Sequence, residues 1–499
     1  MPPLPLGSKR TPALALALAA LWLLAPAQAE AAKRLRAGAC ARVITPVVGV
    51  NHSDPIFMAG FDNDRHATGV HDDLWARGIV LESRGTKIAI VTLDLIGYFN
   101  NEILTARSLV DPARGISSIT VTSTHDHEGP DTMGLWGPDQ TTTGADLAYL
   151  DFVNEQIAGC IHDADDALEP AEIKLATGTT AGRSLPPWPD LVADGHVLEE
   201  LDVDLTLMGG EGVVHVEGDA GPIINSSLPV LQLRARPRGG LHRVIATLVN
   251  FASHPESLGA GNTLITSDFP HYMRQALERR YGGVAIYMSA DLGVLQGPLD
   301  VDVADESGAQ VQRRTFAFAE RMGELLAESA IEALDGTKRW QKKPRIETAS
   351  NPLLVGVENP FFVALSQFGV FGRRVALQDE TGRFVVESEL QVIRIGDAQF
   401  VVTPNELDPQ IGDHYRSLMT KARHRFVAGL GNDEIGYQMP AAKFNPSCFE
   451  CFLYVLFGDE NDCPLRDTLD CGTVFQNNIG PGADQQFQPL FEEMLDELN

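Results

Sequence analysis

Two histidines one residue apart, His125 and His127, stand in the segment Ser123-Thr-His-Asp-His-Glu-Gly-Pro130, directly after a run of apolar and β-branched residues. Imidazole nitrogen is a ligand for zinc and also the side chain whose proton moves most readily near neutral pH. A His-x-His pair by itself suits a surface or a hydrogen-bonded core as well as an ion. A third histidine, His254, adds weight, because it too follows an apolar run, Val244–Phe251. Three further runs end in reactive side chains: Lys87–Leu93 in Asp94, Val284–Met288 in Ser289-Ala-Asp291, and Gln399–Val402 in Thr-Pro-Asn-Glu406. Ligands of open α/β sheets bind beyond the carboxyl ends of strands, so these ends would build one polar site from distant stretches of chain. If the strand Ile116–Ser123 continues, His125 and His127 share the parity of Val121 and Ser123 and point to one side. Gly129-Pro130 then turns the chain.

The elements that must hold these groups are readable in outline. Between the strand-like runs, Asp146–Leu168, Tyr272–Tyr281 and Arg314–Leu334 carry apolar residues at helical spacing. Alternating strands and helices predict an α/β fold: a mixed, partly parallel β-sheet core with flanking helices. Leu185–Ile224, rich in proline and glycine turns, reads as an inserted loop or hairpin, and Lys342–Pro360 as a linker or crossing segment. His71, in Gly-Val-His-Asp-Asp, reads as structural, while Asp94 and Asp268 are candidates to orient a histidine.

Composition bounds the setting. Lys9 and Arg10, the apolar run Ala13–Ala25 and the triplet Ala27-Gln-Ala29 form a cleavable export signal over residues 1–29, leaving a secreted or periplasmic protein. The net charge of −28 argues against nucleic acid as a partner, since phosphate recognition needs clustered Lys and Arg. Of the six cysteines, Cys448, Cys451, Cys463 and Cys471 crowd together near the end. In an oxidising compartment that cluster predicts two disulfides rather than a structural zinc.

With these residues in view, the chain resembles the neutral (non-lysosomal) ceramidases. Ser-Thr-His125-Asp-His127-Glu-Gly-Pro is similar to that family's His-Thr-His-Ser-Gly-Pro segment, and Asn250-Phe-Ala-Ser-His254-Pro to its second histidine segment. Met58-Ala-Gly-Phe and Gly69-Val-His-Asp-Asp-Leu-Trp-Ala-Arg77 resemble its early motif. Thr403-Pro-Asn-Glu406 resembles its Pro-Gly-Glu segment, and Gly429-Leu-Gly-Asn-Asp-Glu-Ile-Gly-Tyr437 the stretch with its tyrosine ligand. The segments run in the family's order from about Ala37 to beyond Tyr437. The resemblance implies a ceramidase-like catalytic domain over residues 30–499, with Zn²⁺ held by His125, His254, Glu406 and Tyr437. It also implies His127 and Arg183 beside the metal, contacting the substrate oxygen, and an N-acyl (sphingo)lipid such as ceramide as substrate, met through transient membrane-surface contact. Zinc in such a site lowers the pKa of a water to about 7 and polarises a carbonyl. By residue type alone, Glu406 equally suits a helix cap, Tyr437 an interface aromatic and Arg183 a surface ion pair.

The chain also departs from the family. Gln296, in Gly293-Val-Leu-Gln-Gly-Pro298, stands where the family has a serine near the metal, and Ser289 is no obvious substitute. Asp126 and Glu128 replace the family's Thr and Ser, adding acidic residues beside the histidines. Little sequence follows the tyrosine segment, so the resemblance leads to the expectation of a catalytic domain without the family's C-terminal β-sandwich domain. The expectation is therefore a zinc-dependent amidohydrolase working through metal-activated water. The alternatives are a zinc-dependent esterase or amidase on another substrate, or a silent extracellular ligand-binding relative.

Overall fold

The computed structural model describes residues 34–180, 226–236, 242–293, 297–299, 302–305, 307–443 and 477–498. The export signal, the Leu185–Ile224 insertion, Arg183, Gln296 and the four C-terminal cysteines lie outside the described residues. Among those described, no helix is long and apolar enough to cross a membrane.

The first sheet has eight strands: β1 (Arg36–Val43), β2 (Trp75–Ser83), β3 (Thr86–Leu93), β4 (Ser118–Ser123), β5 (Glu169–Thr179), β6 (Ser227–Ala235), β7 (Val244–Phe251) and β8 (Val284–Ser289). Their spatial order is β8-β7-β6-β5-β1-β2-β3-β4. The two outermost pairs, β8 with β7 and β3 with β4, are parallel, and the pairs between are antiparallel. A second sheet runs β9 (Ile346–Gly356), β10 (Phe384–Ile395), β11 (Ala398–Val402), β12 (His424–Ala428), with β11 and β12 parallel. The expected mixed, partly parallel architecture is what the chain adopts.

Side-chain parity explains why the sheets stack. In β3, Ile88 and Ile90 join Ile286, Met288, Phe400, Val402 and Phe426 in a core shared by both sheets. Ala89 and Val91 face the other way, toward α1 (Asn100–Ser108) and α2 (Leu147–Asp166). Ala285 and Tyr287 of β8 likewise pack on α3 (Asp268–Tyr281) and α4 (Phe316–Gly336). The outer face of the second sheet is covered by α5 (Pro360–Phe368), α6 (Pro409–Leu418) and α7 (Gly482–Leu498). The result is four layers, helix–sheet–sheet–helix. Strands covered on both faces read as unbroken apolar runs, which is why β3, β4, β7, β8 and β11 stood out in the sequence.

Helix starts follow capping chemistry. Asp146 accepts the Ala148 and Tyr149 amides at 2.8 and 3.1 Å to open α2. Asn359 and Asp408 cap α5 and α6, each with proline at the first helical position. One expectation fails: Lys342–Pro360 is no linker but carries β9, an edge strand paired antiparallel with β10 from Ile346↔Ile395 to Gly356↔Val385. The cysteines not assigned from sequence, Cys40 on β1 and Cys160 on α2, form a disulfide across 120 residues.

Candidate metal centre

The first sheet coils until its two edges meet at their carboxyl ends. Ser289 Oγ, at the end of β8, donates to Thr124 O just past β4 at 2.6 Å. The loop after β12 wedges into the same place. Asn432 N donates to Val121 O at 2.7 Å, its Oδ1 accepts Val121 N at 3.1 Å, and Ser123 N donates to Leu430 O at 3.1 Å. The carboxyl ends of both sheets therefore open on one region. Ser289, spent on this contact and fully buried, is a structural tie rather than a nucleophile in the missing serine's place.

Strand β4 stops at Ser123, so the parity argument does not itself position the histidines. His125 takes a left-handed backbone (φ 65°), and the amides of His125 and Asp126 both donate to Leu95 O, at 3.0 and 3.1 Å. That turn brings the His125 and His127 rings to 4.9 Å between centroids, with His254 at 4.7 Å from His125 and 5.5 Å from His127. All three are buried, and ring nitrogens from each lie within 4.8 Å of one another. His125 Nδ1 donates to Ile96 O at 2.6 Å, which fixes the tautomer and leaves Nε2 to the interior.

Glu406 sits among them. Its Oε2 is 3.3 Å from His125 Nε2 and 3.1 Å from His254 Nε2. Burial alone would raise this carboxyl, but the two imidazoles outweigh it and hold it down to about 2. Tyr437 is delivered by a two-residue parallel pairing, Glu406–Leu407 with Tyr437–Gln438, in which Glu406 and Tyr437 are direct partners. Burial and then the charge and hydrogen bond of Glu406 push its phenol well above the usual value. His125, His254, Glu406 and Tyr437 are thus brought together; Arg183 lies outside the described residues.

His127 stands apart in one respect. Neither ring nitrogen has a hydrogen-bond partner, although Nδ1 is 3.5 Å from Glu256 Oε2. Burial, reinforced by His125 and His254, holds its pKa well below the usual imidazole value, so the ring is neutral. Its position depends on Gly60, whose φ is 98° and where a Cβ would lie 2.4 Å from the imidazole Cγ. Arg65, buried over the Phe61 ring, donates to the carbonyls of His127 and Ala59 and braces the turn. Sequence reasoning missed Arg65 and Glu256; the signals available were Arg65 downstream of the Met58-Ala-Gly-Phe segment and Glu256 two residues past His254.

Three expectations need correcting. Asp94 binds Arg274 Nη1 at 2.7 Å and the Trp75 amide, and Asp268 binds Ser257 and the Phe269 amide, so both carboxylates are engaged by groups other than imidazole. Asp126 and Glu128 do not line the cavity. Asp126 accepts the Glu128 amide at 3.2 Å, Glu128 accepts from Asn262 at 2.7 Å, and burial pushes both carboxyls up toward the neutral form. The extra acids therefore add no exposed charge beside the histidines. His71 is structural as expected, its ring stacked on Phe316 at 3.7 Å.

A cavity of about 440 Å³ opens onto the cluster. His125, His127, Glu406 and Tyr437 form its polar end; Phe361, Phe362 and Leu365 of α5, with Phe371, Met133 and Trp136, supply apolar wall. His254 sits behind the lining. The donor set fits a divalent ion on two counts: it is all imidazole and oxygen, as zinc prefers, and its two imidazoles lie in a buried group whose ring nitrogens come within 4.8 Å of one another.

No protein-family model matches the sequence, and neither does any curated protein. The fold is nonetheless shared with solved structures. Neutral ceramidase from Pseudomonas aeruginosa superposes with a TM-score of 0.64 at 15% identity, over 93% of this chain and 74% of that one. A ceramidase complexed with C2 gives 0.63 at 15% identity, over 93% and 75%. The chain has the ceramidase fold.

Proposed function

We propose that this protein is a zinc-dependent hydrolase that cleaves the amide bond of an N-acyl lipid, with ceramide-type compounds the first to test. The observation that carries the reading is a buried His–His–His–Glu cluster bordering a cavity that also has an apolar wall. His125, His254, Glu406 and Tyr437 would hold the ion. When bound, zinc would polarise the scissile carbonyl and acidify a water. The chain's own residues do the rest. Phe361, Phe362 and Leu365 take the acyl chain out of water. Neutral His127, with an unpartnered Nε2, is placed to accept a proton and pass it to the leaving amine, and Glu256 steadies the ring from the Nδ1 side. Arg183 is assigned to the substrate oxygen by family resemblance.

In the same reading, residues 1–29 are removed on export and residues 30–499 form the working domain. The Cys40–Cys160 disulfide supports an oxidising compartment, and a lipid substrate would bring the mouth of the cavity against a membrane surface. The test is metal analysis of purified protein followed by fatty-acid release from matched N-acyl amides and esters. Near-stoichiometric zinc with amide cleavage is expected. Ester cleavage alone would move the protein to the esterase reading, and zinc-free protein would sink both.

A further inference from the structure

The cavity contains a carboxylate that the reaction above does not use. Glu434 is 1% exposed yet lines the cavity alongside Glu406 and Tyr437. Its Oε1 accepts the Gly436 amide at 2.8 Å, whereas Oε2 is buried and has no hydrogen-bond partner. The side chain is confined as well. Gly97 makes room for it, since a Cβ there would lie 2.7 Å from Glu434 Cγ. Pinned at one oxygen and hemmed in along its stem, Glu434 is not free to seek another partner within the protein.

A buried polar atom left unpaired is destabilising, and native proteins keep few of them without a use. Here the unpaired atom belongs to a group that borders the space a ligand would fill. The charge around it narrows the ligand's chemistry. Glu434 shares the cavity lining with the Glu406 carboxylate and its Oε2 is an unpaired acceptor, so a second anion would be poorly received there and a group bearing a polar hydrogen welcomed.

We propose that Glu434 is a specificity-determining residue whose Oε2 hydrogen-bonds a hydroxyl or ammonium group carried close to the scissile amide of the substrate. This deepens the N-acyl amide reading and rests on it for the word substrate. It predicts discrimination against simple alkyl amides of the same size, because those would leave Oε2 unpaired in a desolvated complex.

The test uses non-hydrolysable probes, the octanesulfonamides of ethanolamine, ethylenediamine and propylamine, titrated calorimetrically into the zinc-loaded protein. Wild type is expected to bind the hydroxyl or the ammonium probe about 10-fold or more tighter than the propyl probe, the size of effect an unpaired buried acceptor produces. Whichever of the two binds tighter identifies the group. Glu434→Leu is expected to erase the preference while binding the propyl probe at least as well. Glu434→Gln keeps a preference for hydroxyl and loses one for ammonium, and it carries the test should the leucine variant fail to fold. No preference in wild type, or a preference that survives Glu434→Leu, overturns the assignment. Probe binding with the expected preference but no cleavage of any amide would sink the hydrolase reading and leave Glu434's role standing.

Discussion

The two sheets make unlike contributions to one site. The eight-stranded sheet brings nitrogen: His125 follows β4 and His254 follows β7, strands buried along their carboxyl-terminal parts. The smaller sheet supplies oxygen and shape: Glu406 past β11, Tyr437 past β12, and the apolar wall on α5. The nitrogen side belongs to a sheet buried on both faces, in which a disulfide ties β1 to α2. The oxygen side rests on a two-residue pairing and an exposed-edged helix layer. The first side brings imidazole alone, whereas the second brings a carboxylate and a phenol together with the apolar wall.

Removing the Cys40–Cys160 bridge tests the first half of that contrast most heavily. Replacing both cysteines with serine should lower stability by about 4 kcal/mol, given the long loop it closes. Chemical denaturation would measure this, while zinc affinity of the folded fraction stays near wild type. A comparable fall in affinity would mean that the rigidity of the first sheet, not its donors alone, sets binding. Next in size, His254→Ala should weaken zinc binding about 100-fold or more, beyond the usual effect of losing an outer partner. Chelator competition would read it, and Glu406→Ala run in parallel compares the oxygen side directly. If Glu406→Ala retains full zinc affinity, the smaller sheet contributes no ligand and the contrast collapses.

Gly60→Ala should push His127 off its position and cost about 1–3 kcal/mol through the positive φ. The expected signature is a fall in kcat with zinc content unchanged. Phe361→Ala, on the wall, should raise KM about 10-fold for long acyl chains and little for short ones, as lost apolar contact predicts. The smallest effect concerns Asp146. Burial would raise its carboxyl, but the Ser53 and Tyr149 bonds outweigh that and hold it down to about 2. A depressed carboxyl stabilises above its unfolded pKa of 3.8, and the gain disappears as pH falls toward 2. Asp146→Ala should therefore lose about 1 kcal/mol near neutral pH and flatten the acid limb of the stability profile.

Much of this was legible because of how the strands are covered. Parallel strands buried on both faces betray themselves as apolar runs, and the reactive residues follow them immediately, so His125, His254 and Glu406 could be picked out. Strand β9 was not, because it lies at an edge, alternates exposed with half-buried positions over its middle and contains Pro352. Tyr437 emerged only by resemblance, since two residues of strand leave no periodic trace. Glu434 was hidden differently. Its burial depends on Gly97, a residue from the other sheet's side of the molecule, and no local pattern records such a contact. The Cys40–Cys160 pairing, likewise, is a long-range fact that spacing does not encode.

The left-handed backbone at His125 bears on anyone wishing to move this centre elsewhere. A histidine in that conformation is held against its preference, at a cost of about 1–3 kcal/mol that the surrounding structure must offset. Copying Ser-Thr-His-Asp-His onto the end of a straight strand would transplant the letters and lose the aim of the imidazole. What has to be grafted is the kink, together with the Leu95 and Ile96 carbonyls that hold it.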